Sequence, residues 1–489
     1  MNDPAHHSRP EERSDEASRL WLAMVDQAGR MAALHRQLAA IKVSRSWRVT
    51  APLRALLRWF EQLRGGKPSR PGLLPAGRTD VAGHRDHVVP SWVSIMLPGP
   101  DHAQPRWLID VTELSLEDLG AGVQRVTGRL LTELLMSPPD GGRVEPVRLA
   151  AQGHYSHARE FVAVFLGMRL GAPGGDDPVE PRGSDRFVGL DFCRDRAAPL
   201  ESGLKHLRDQ GVWTSLLVHD TLPLTHPQWF PQAIGANFES WLRVLSKQAD
   251  HAVCVSEQTA IALRQALGER GLALPPCGIG VVPLGSDLLP MPPLGITPEA
   301  KSGVLRVVTV GTIEPRKGHR QAVDALKAFW TATEKFEWLI VGRRGWQTES
   351  LVDRLEGHPE LGRRLHWLDD ADDGVLGAIY RSSDVLLMPS QGEGYGLPLA
   401  EAGALGLGLV LRDLPVFHEV AGDAAAYFHG DAGEDIANAL RAWRDRPHKP
   451  TPKAWATWAQ SAEALETIIA SARTISPDRP RMGDQHEDQ

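Results

Sequence analysis

What this chain has little of narrows it first. It holds only three cysteines, Cys193, Cys254 and Cys277, with no metal-ligand spacing. A disulfide framework or cysteine zinc site is therefore not expected, and buried thiols in a reducing cytoplasm are. No apolar run approaches the ~20 residues of a membrane-spanning helix, and the opening MNDPAHHSRPEERSDEASR has no apolar signal region. Basic charge is not in excess: the net charge of −7 argues against a general nucleic-acid binder. A complete G-x-G-x-x-G is missing as well. Gly278-Ile279-Gly280 lacks the third glycine, and the glycines of Gly392–Gly396 are wrongly spaced. That weighs against a dinucleotide-dependent oxidoreductase.

What is present is a chain of 489 residues, 42% of them apolar, which suits two or three soluble globular domains. Residues 1–18 read as disordered. Over 19–64 two helices are expected. In the first, Leu20, Met24, Met31, Leu34, Leu38 and Ile41 form a short coiled-coil seam, a candidate homodimer contact through 20–41. The second starts at Thr50 and is basic and amphipathic. Its neighbourhood, 42–64, suits either an anionic inner-membrane surface or a solvated face docked on the protein. Residues 65–104 read as a Gly/Pro-rich linker.

Two strand-and-helix arrays follow. The first, 105–287, has candidate strands RWLIDV, VEPVRLA, EFVAVFL, RFVGLD, VWTSLLV, HAVCVS and IGVVP. A proline-rich hinge occupies 288–303. The second array, 304–447, has strands VLRVVTV, EWLIV, LHWL, DVLLMP, LGLVL and AAAYF. A helix over 448–474 is expected to pack back toward the first array, and 475–489 reads as a disordered tail. The fold class is α/β: two doubly wound, Rossmann-like domains facing one cleft at the carboxyl ends of their strands.

The most informative segment is SQGEGYGLPLAEAGALG, Ser390–Gly406. Glu393 and Glu401 flank a turn, Gly394-Tyr395-Gly396, and Pro398 marks a helix starting near Leu397. Such a helix end carries free N–H groups and a positive dipole, an anion site. Glu401 is expected in its first turn. A second segment, Gly311-Thr312-Ile313-Glu314-Pro315-Arg316-Lys317-Gly318, places a cation pair after a strand, which suits a diphosphate. Two acids for hydroxyls and an anion site between them describe a nucleotide sugar, and the chemistry implied is glycosyl transfer. Asp370-Ala371-Asp372 resembles a short acidic metal motif, but it precedes a helix and is read as a cap, so no metal site is expected. In the first domain Asp110 ends a strand, Gly120 and Gly122 permit a tight loop, and a helix opens near Val123 with Gln124 and Arg125 in its first turn. His219 ends VWTSLLV, either as a ligand of sugar or acceptor or as a structural histidine.

These pieces together resemble the retaining nucleotide-sugar glycosyltransferases of family 4, which have the two-domain GT-B fold. The resemblance runs from about residue 106 to 470. Its motifs are IDVTELSLEDLGAGVQRV, VHDTLPLTHPQWF, VSEQTA, VGTIEPRKG, LIVGRRGW, LHWLDDADDGVLGAIY and GEGYGLPLAEA. Within the family the chain is most similar to mannosyltransferases of bacterial O-antigen and surface polysaccharide. The resemblance implies that Arg316 and Lys317 grip the donor diphosphate, that Glu393 lies by the sugar ring, and that Glu401 holds the ribose. It implies that backbone around Gly394, Tyr395, Gly396 and Leu397 faces the phosphates or sugar, with Gly311 and Thr312 beside them. It places Gly122 in a loop closing over the diphosphate and His219 near the sugar. The expected function is hexose transfer, mannose from GDP-mannose as the best choice, to a lipid-linked or growing glycan at the cytoplasmic face of a membrane. No cofactor beyond the donor and no metal is expected. The alternative is a non-catalytic GT-B assembly protein.

Overall fold

The computed structural model describes residues 105–116, 122–139, 142–166, 176–193, 195–288, 303–331, 335–369, 371–447 and 454–475. The expected N-terminal helices, the linker, Gly120, Asp370, nearly all of the hinge and the tail beyond 475 lie outside these residues.

The first domain is a seven-stranded sheet. Its strands are β1 Arg106–Asp110, β2 Arg143–Leu149, β3 Tyr155–His157, β4 Arg186–Gly189, β5 Trp213–Val218, β6 His251–Cys254 and β7 Ile279–Val281. They lie in the order β3-β2-β1-β4-β5-β6-β7, parallel except for β2 with β3. The inner strands β1, β5 and β6 are buried at every position. Both of their faces are covered, which is why they read as continuous apolar runs.

The second domain has six strands: β8 Leu305–Val310, β9 Phe336–Val341, β10 Leu365–Leu368, β11 Val385–Met388, β12 Gly408–Arg412 and β13 Ala426–Phe428. Their order is β10-β9-β8-β11-β12-β13, all parallel. In both sheets the order reverses beside the first strand of the domain. A crevice opens there at the carboxyl edge, and the loops after β1, β4, β8 and β11 border it.

One expected strand is a helix. EFVAVFL forms the helix Arg159–Phe165, and the sheet edge is taken by β3. An apolar run this short does not distinguish the two by pattern alone. Tertiary packing decides it: Val162 and Ala163 are buried, Val164 on the opposite side is exposed, and Phe161 and Phe165 pair one turn apart with ring centroids 5.5 Å apart.

The last helix, Trp458–Ile475, returns to the first domain. Trp458, Leu465, Ile469 and Ala472 join the core around β1, β6 and the helix Gly122–Met136. Burying large apolar side chains such as Trp458, Leu465 and Ile469 contributes roughly 1.5–3 kcal/mol each. Gly285 makes room for this crossing, since a Cβ there would lie 2.5 Å from Trp458.

Candidate active site

The loop after β11 turns sharply at Gly396, whose φ of +97° favours glycine. It empties into the helix Leu397–Ala404, with Pro398 in the first turn. The loop after β8 winds through a single 3-10 turn, Pro315–Lys317. Both loops open on a cavity of about 460 Å³ between the domains. Every residue expected in the site lines it: Arg316, Lys317, Gly311 and Thr312 from one loop, Glu393 through Leu397 and Glu401 from the other, and Gly122 and His219 from the first domain.

Glu393 is the centre of a charge cluster. Lys317 Nζ lies 2.6 Å from its Oε1 and Arg316 Nη1 2.8 Å from its Oε2. Ser390 donates to Oε1 at 2.8 Å. Burial pushes this carboxyl up, but Lys317, Arg316 and the Ser390 hydroxyl outweigh it and hold it at about 2. Arg316 also meets Glu314 at 2.8 Å and donates to the Gly392 carbonyl at 3.1 Å. Its Nε has no partner among the described residues. Burial disfavours the Arg316 charge, yet Glu393, Glu314 and Asp220 hold its pKa above the ordinary value. Burial raises Glu314 despite the two cations. The site thus presents fixed positive charge, partly balanced by two acids, beside a helix N-terminus.

Glu401 lies one full turn inside its helix, not in the first turn as expected from the sequence. With the helix starting at Leu397, 3.6 residues per turn carry position 401 past the exposed N–H groups. Its partners are Arg125 Nη2 at 3.1 Å, from the first domain, and the Tyr380 hydroxyl at 3.0 Å. Burial raises its pKa, and Arg125 and Tyr380 oppose the rise.

His219 donates from Nε2 to the Leu190 carbonyl at 2.9 Å, which leaves Nδ1 as an acceptor. Burial lowers its pKa, so the ring is neutral. Asp372 accepts from Val375 N at 2.8 Å and caps the helix Asp373–Ser382, as its position suggested. Among the described residues no cluster of His, Cys, Asp and Glu is arranged to hold a metal ion.

Several residues here carry no mark in the sequence. Asp191 lines the cavity, and burial together with Asp110 lifts its carboxyl to about 7. Contacts across the cleft were also silent. Ser256 and Thr259 donate to the Gly394 carbonyl at 2.7 and 3.1 Å. Tyr395 donates to Leu284 O at 3.0 Å, and Trp346 to Trp229 O at 2.8 Å. Glu419 accepts from Glu257 N and Gln258 N at 2.7 and 3.0 Å, at the start of the helix Glu257–Glu269. This is a favourable place for a carboxylate. These bonds hold the two domains closed.

Residues 298–461 match the family described as Glycosyl transferases group 1. A serotype-specific mannosyltransferase of Escherichia coli, WbdA, is 34% identical over 373 residues, 73% of this chain and 45% of that protein. Over residues 298–461 the chain is thus similar to the group 1 glycosyl transferases. A phosphatidyl-myo-inositol mannosyltransferase of Mycobacterium leprae is 31% identical over 204 residues, 41% of this chain and 50% of that protein. The aligned segment is thus half or less of each of these curated relatives. Among solved structures, Anabaena Alr3699/HepE in complex with UDP and glucose superposes with a TM-score of 0.50 at 16% identity, covering 76% of this chain and 98% of that one. This likeness gives the fold, two facing Rossmann-like domains in the GT-B arrangement.

Proposed function

We propose that this chain is a retaining group 1 glycosyl transferase that moves a hexose, mannose from GDP-mannose, to a lipid-linked or growing surface glycan. What supports the reading most is a convergence. Arg316, Lys317, Glu393 and Glu401, chosen from two segments some 80 residues apart, surround one cavity with a helix N-terminus in its wall. The names of the relatives point to mannose.

In this reading the donor diphosphate takes Arg316, Lys317 and the N–H groups at Leu397. An acceptor hydroxyl oxygen attacks the anomeric carbon from the face the diphosphate leaves. As the new C–O bond forms, the bond to the β-phosphate oxygen breaks and its electron pair stays on that oxygen. The same oxygen takes the acceptor proton, and a nucleoside diphosphate departs. Charge developing on the leaving oxygen is stabilised by groups already in place, which need little reorganisation in a closed cleft. Glu393 accepts from a sugar hydroxyl, and Glu401 from the ribose. Arg316, Lys317 and the helix end supply the positive charge without requiring a metal. The basic segment 42–64 brings the cytoplasmic enzyme to an anionic membrane surface, and 20–41 pairs two copies.

Calorimetry against GDP-mannose, UDP-glucose and other nucleotide sugars, followed by turnover with the donor that binds, tests this. Lys317→Ala and Glu393→Ala are each expected to lower transfer by ~100-fold or more with the fold intact. Undiminished turnover in either variant refutes the site assignment. Absence of binding to every donor favours the assembly-protein alternative.

A further inference from the structure

Arg125 stands on the first domain, in the opening turn of the helix Gly122–Met136, yet its guanidinium engages the second. Nη2 lies 3.1 Å from Glu401 Oε1 and 2.9 Å from Asp373 Oδ1. Glu401 is 2% exposed, so its charge is removed from water. A buried carboxylate without a cation tends to take up a proton instead. Arg125 is the leading charge that opposes this. The opposite oxygen of Glu401 accepts from the Tyr380 hydroxyl. A carboxylate offers about four lone-pair positions. With one engaged on each oxygen, each oxygen retains capacity for one more donor. Two adjacent hydroxyls fit such a pair of acceptors, and both Arg125 and Glu401 line the cavity.

We propose that Arg125 is a positioning residue for the ribose of the donor. Reaching across the cleft, it keeps Glu401 ionised and in one rotamer, so that the ribose hydroxyls are gripped only while the two domains are closed. A first-domain residue thereby contributes to recognition of a nucleotide that sits in the second. The inference rests on the donor reading of Glu401 given above.

The test uses the full chain and a ligand pair, GDP and 2′-deoxy-GDP, measured by calorimetry. Wild type is expected to prefer GDP by about tenfold, the scale of one hydrogen bond to a charged group. In Arg125→Gln the preference is expected to fall to within about twofold of unity. Binding of 2′-deoxy-GDP should change much less, and Arg125→Lys should restore part of the preference. The donor KM should rise more than kcat falls. Arg125→Met, which retains the packing of the stem, replaces the Gln variant if that variant does not fold. A charge-free variant that keeps the wild-type preference overturns the role of Arg125 while leaving the donor site standing. A wild type that binds both ligands equally overturns the ribose role of Glu401, and that of Arg125 with it. A wild type that binds neither overturns the donor reading from which both follow.

Discussion

The closed cleft makes a sharp prediction at Gly394. A Cβ added there would lie 1.9 Å from the carbonyl oxygen of His219 and 3.0 Å from the Cβ of Asp220, both across the cleft. Gly394 does not have a positive φ, so alanine suits the loop itself, and the clash exists only when the domains meet. A carbon–oxygen contact of this kind normally needs about 3.3 Å, so closure must stop more than about 1 Å short at this point. Overpacking costs about 1–3 kcal/mol. Stretching the two bonds that Ser256 and Thr259 donate to Gly394 O adds about 1 kcal/mol each. A penalty of at least about 3 kcal/mol lowers the closed-to-open ratio by roughly two orders of magnitude or more. Gly394→Ala is therefore expected to lower kcat at least about tenfold. Its melting temperature should stay near wild type, and its radius of gyration with nucleotide bound should be larger. Steady-state transfer and solution scattering with and without GDP measure both effects. Turnover within twofold of wild type, with the same radius, would show that this closed arrangement is not the working one.

Two further predictions come from charge. His319 is buried, neither ring nitrogen has a partner among the described residues, and burial with Lys317 lowers its pKa to about 3. The unfolded chain takes up a proton below about 6.5 and the folded one does not. Stability from this group is therefore complete above pH 6.5 and is lost as pH falls toward 3, at up to ~1.4 kcal/mol per unit. His319→Leu should gain about 2 kcal/mol relative to wild type between pH 7 and pH 5 in urea unfolding; a gap independent of pH refutes this. If 42–64 serves a membrane, the full chain should sediment with anionic vesicles at low salt and be released at high salt, whereas a chain starting at Pro105 should not sediment. Equal sedimentation of both removes that role.

The sequence made the sheets legible because both of their faces are buried. VLRVVTV, VWTSLLV and DVLLMP have few alternatives to inner parallel strands. The cavity-lining residues are legible for a related reason: Arg316, Lys317, Glu393 and Pro398 sit at strand ends and helix starts, where local spacing fixes position. EFVAVFL was misread because its seven residues fit strand and helix alike, and only the partners of Phe161 and Phe165 settle it. Arg125, Glu419, Ser256 and Thr259 could not have been read. Each acts on a residue more than 130 positions away, across a gap that exists only when two separately folded domains meet. Arg125 was visible as a first-turn residue, but nothing local says that its partner is Glu401. Glu401 is close to Pro398 in sequence but lies more than a turn past Leu397, and it is turns that set its distance from the helix end.

The hydrogen bonds of Glu393 would constrain how the proposed donor enters. Its Oε1 accepts from both Lys317 and Ser390, while Oε2 accepts only from Arg316. By lone-pair capacity, Oε1 is full and Oε2 has one position left. A sugar hydroxyl approaching the present arrangement therefore has one oxygen available, and that oxygen is bound to the guanidinium. Lys317 is shared differently. An ammonium has three donors and Lys317 gives one of them to Glu393, so it can take a phosphate oxygen without releasing the carboxylate. Arg316 holds Glu314, Glu393 and Gly392 O with its two terminal nitrogens and keeps Nε in reserve. The arrangement that results is a carboxylate whose orientation is fixed by the same cations proposed to receive the diphosphate. In the proposed reading, losing either cation would then harm the sugar end of the site as well as the phosphate end. Lys317→Ala and Glu393→Ala should accordingly be far from additive when combined, with the double variant little worse than the poorer single one.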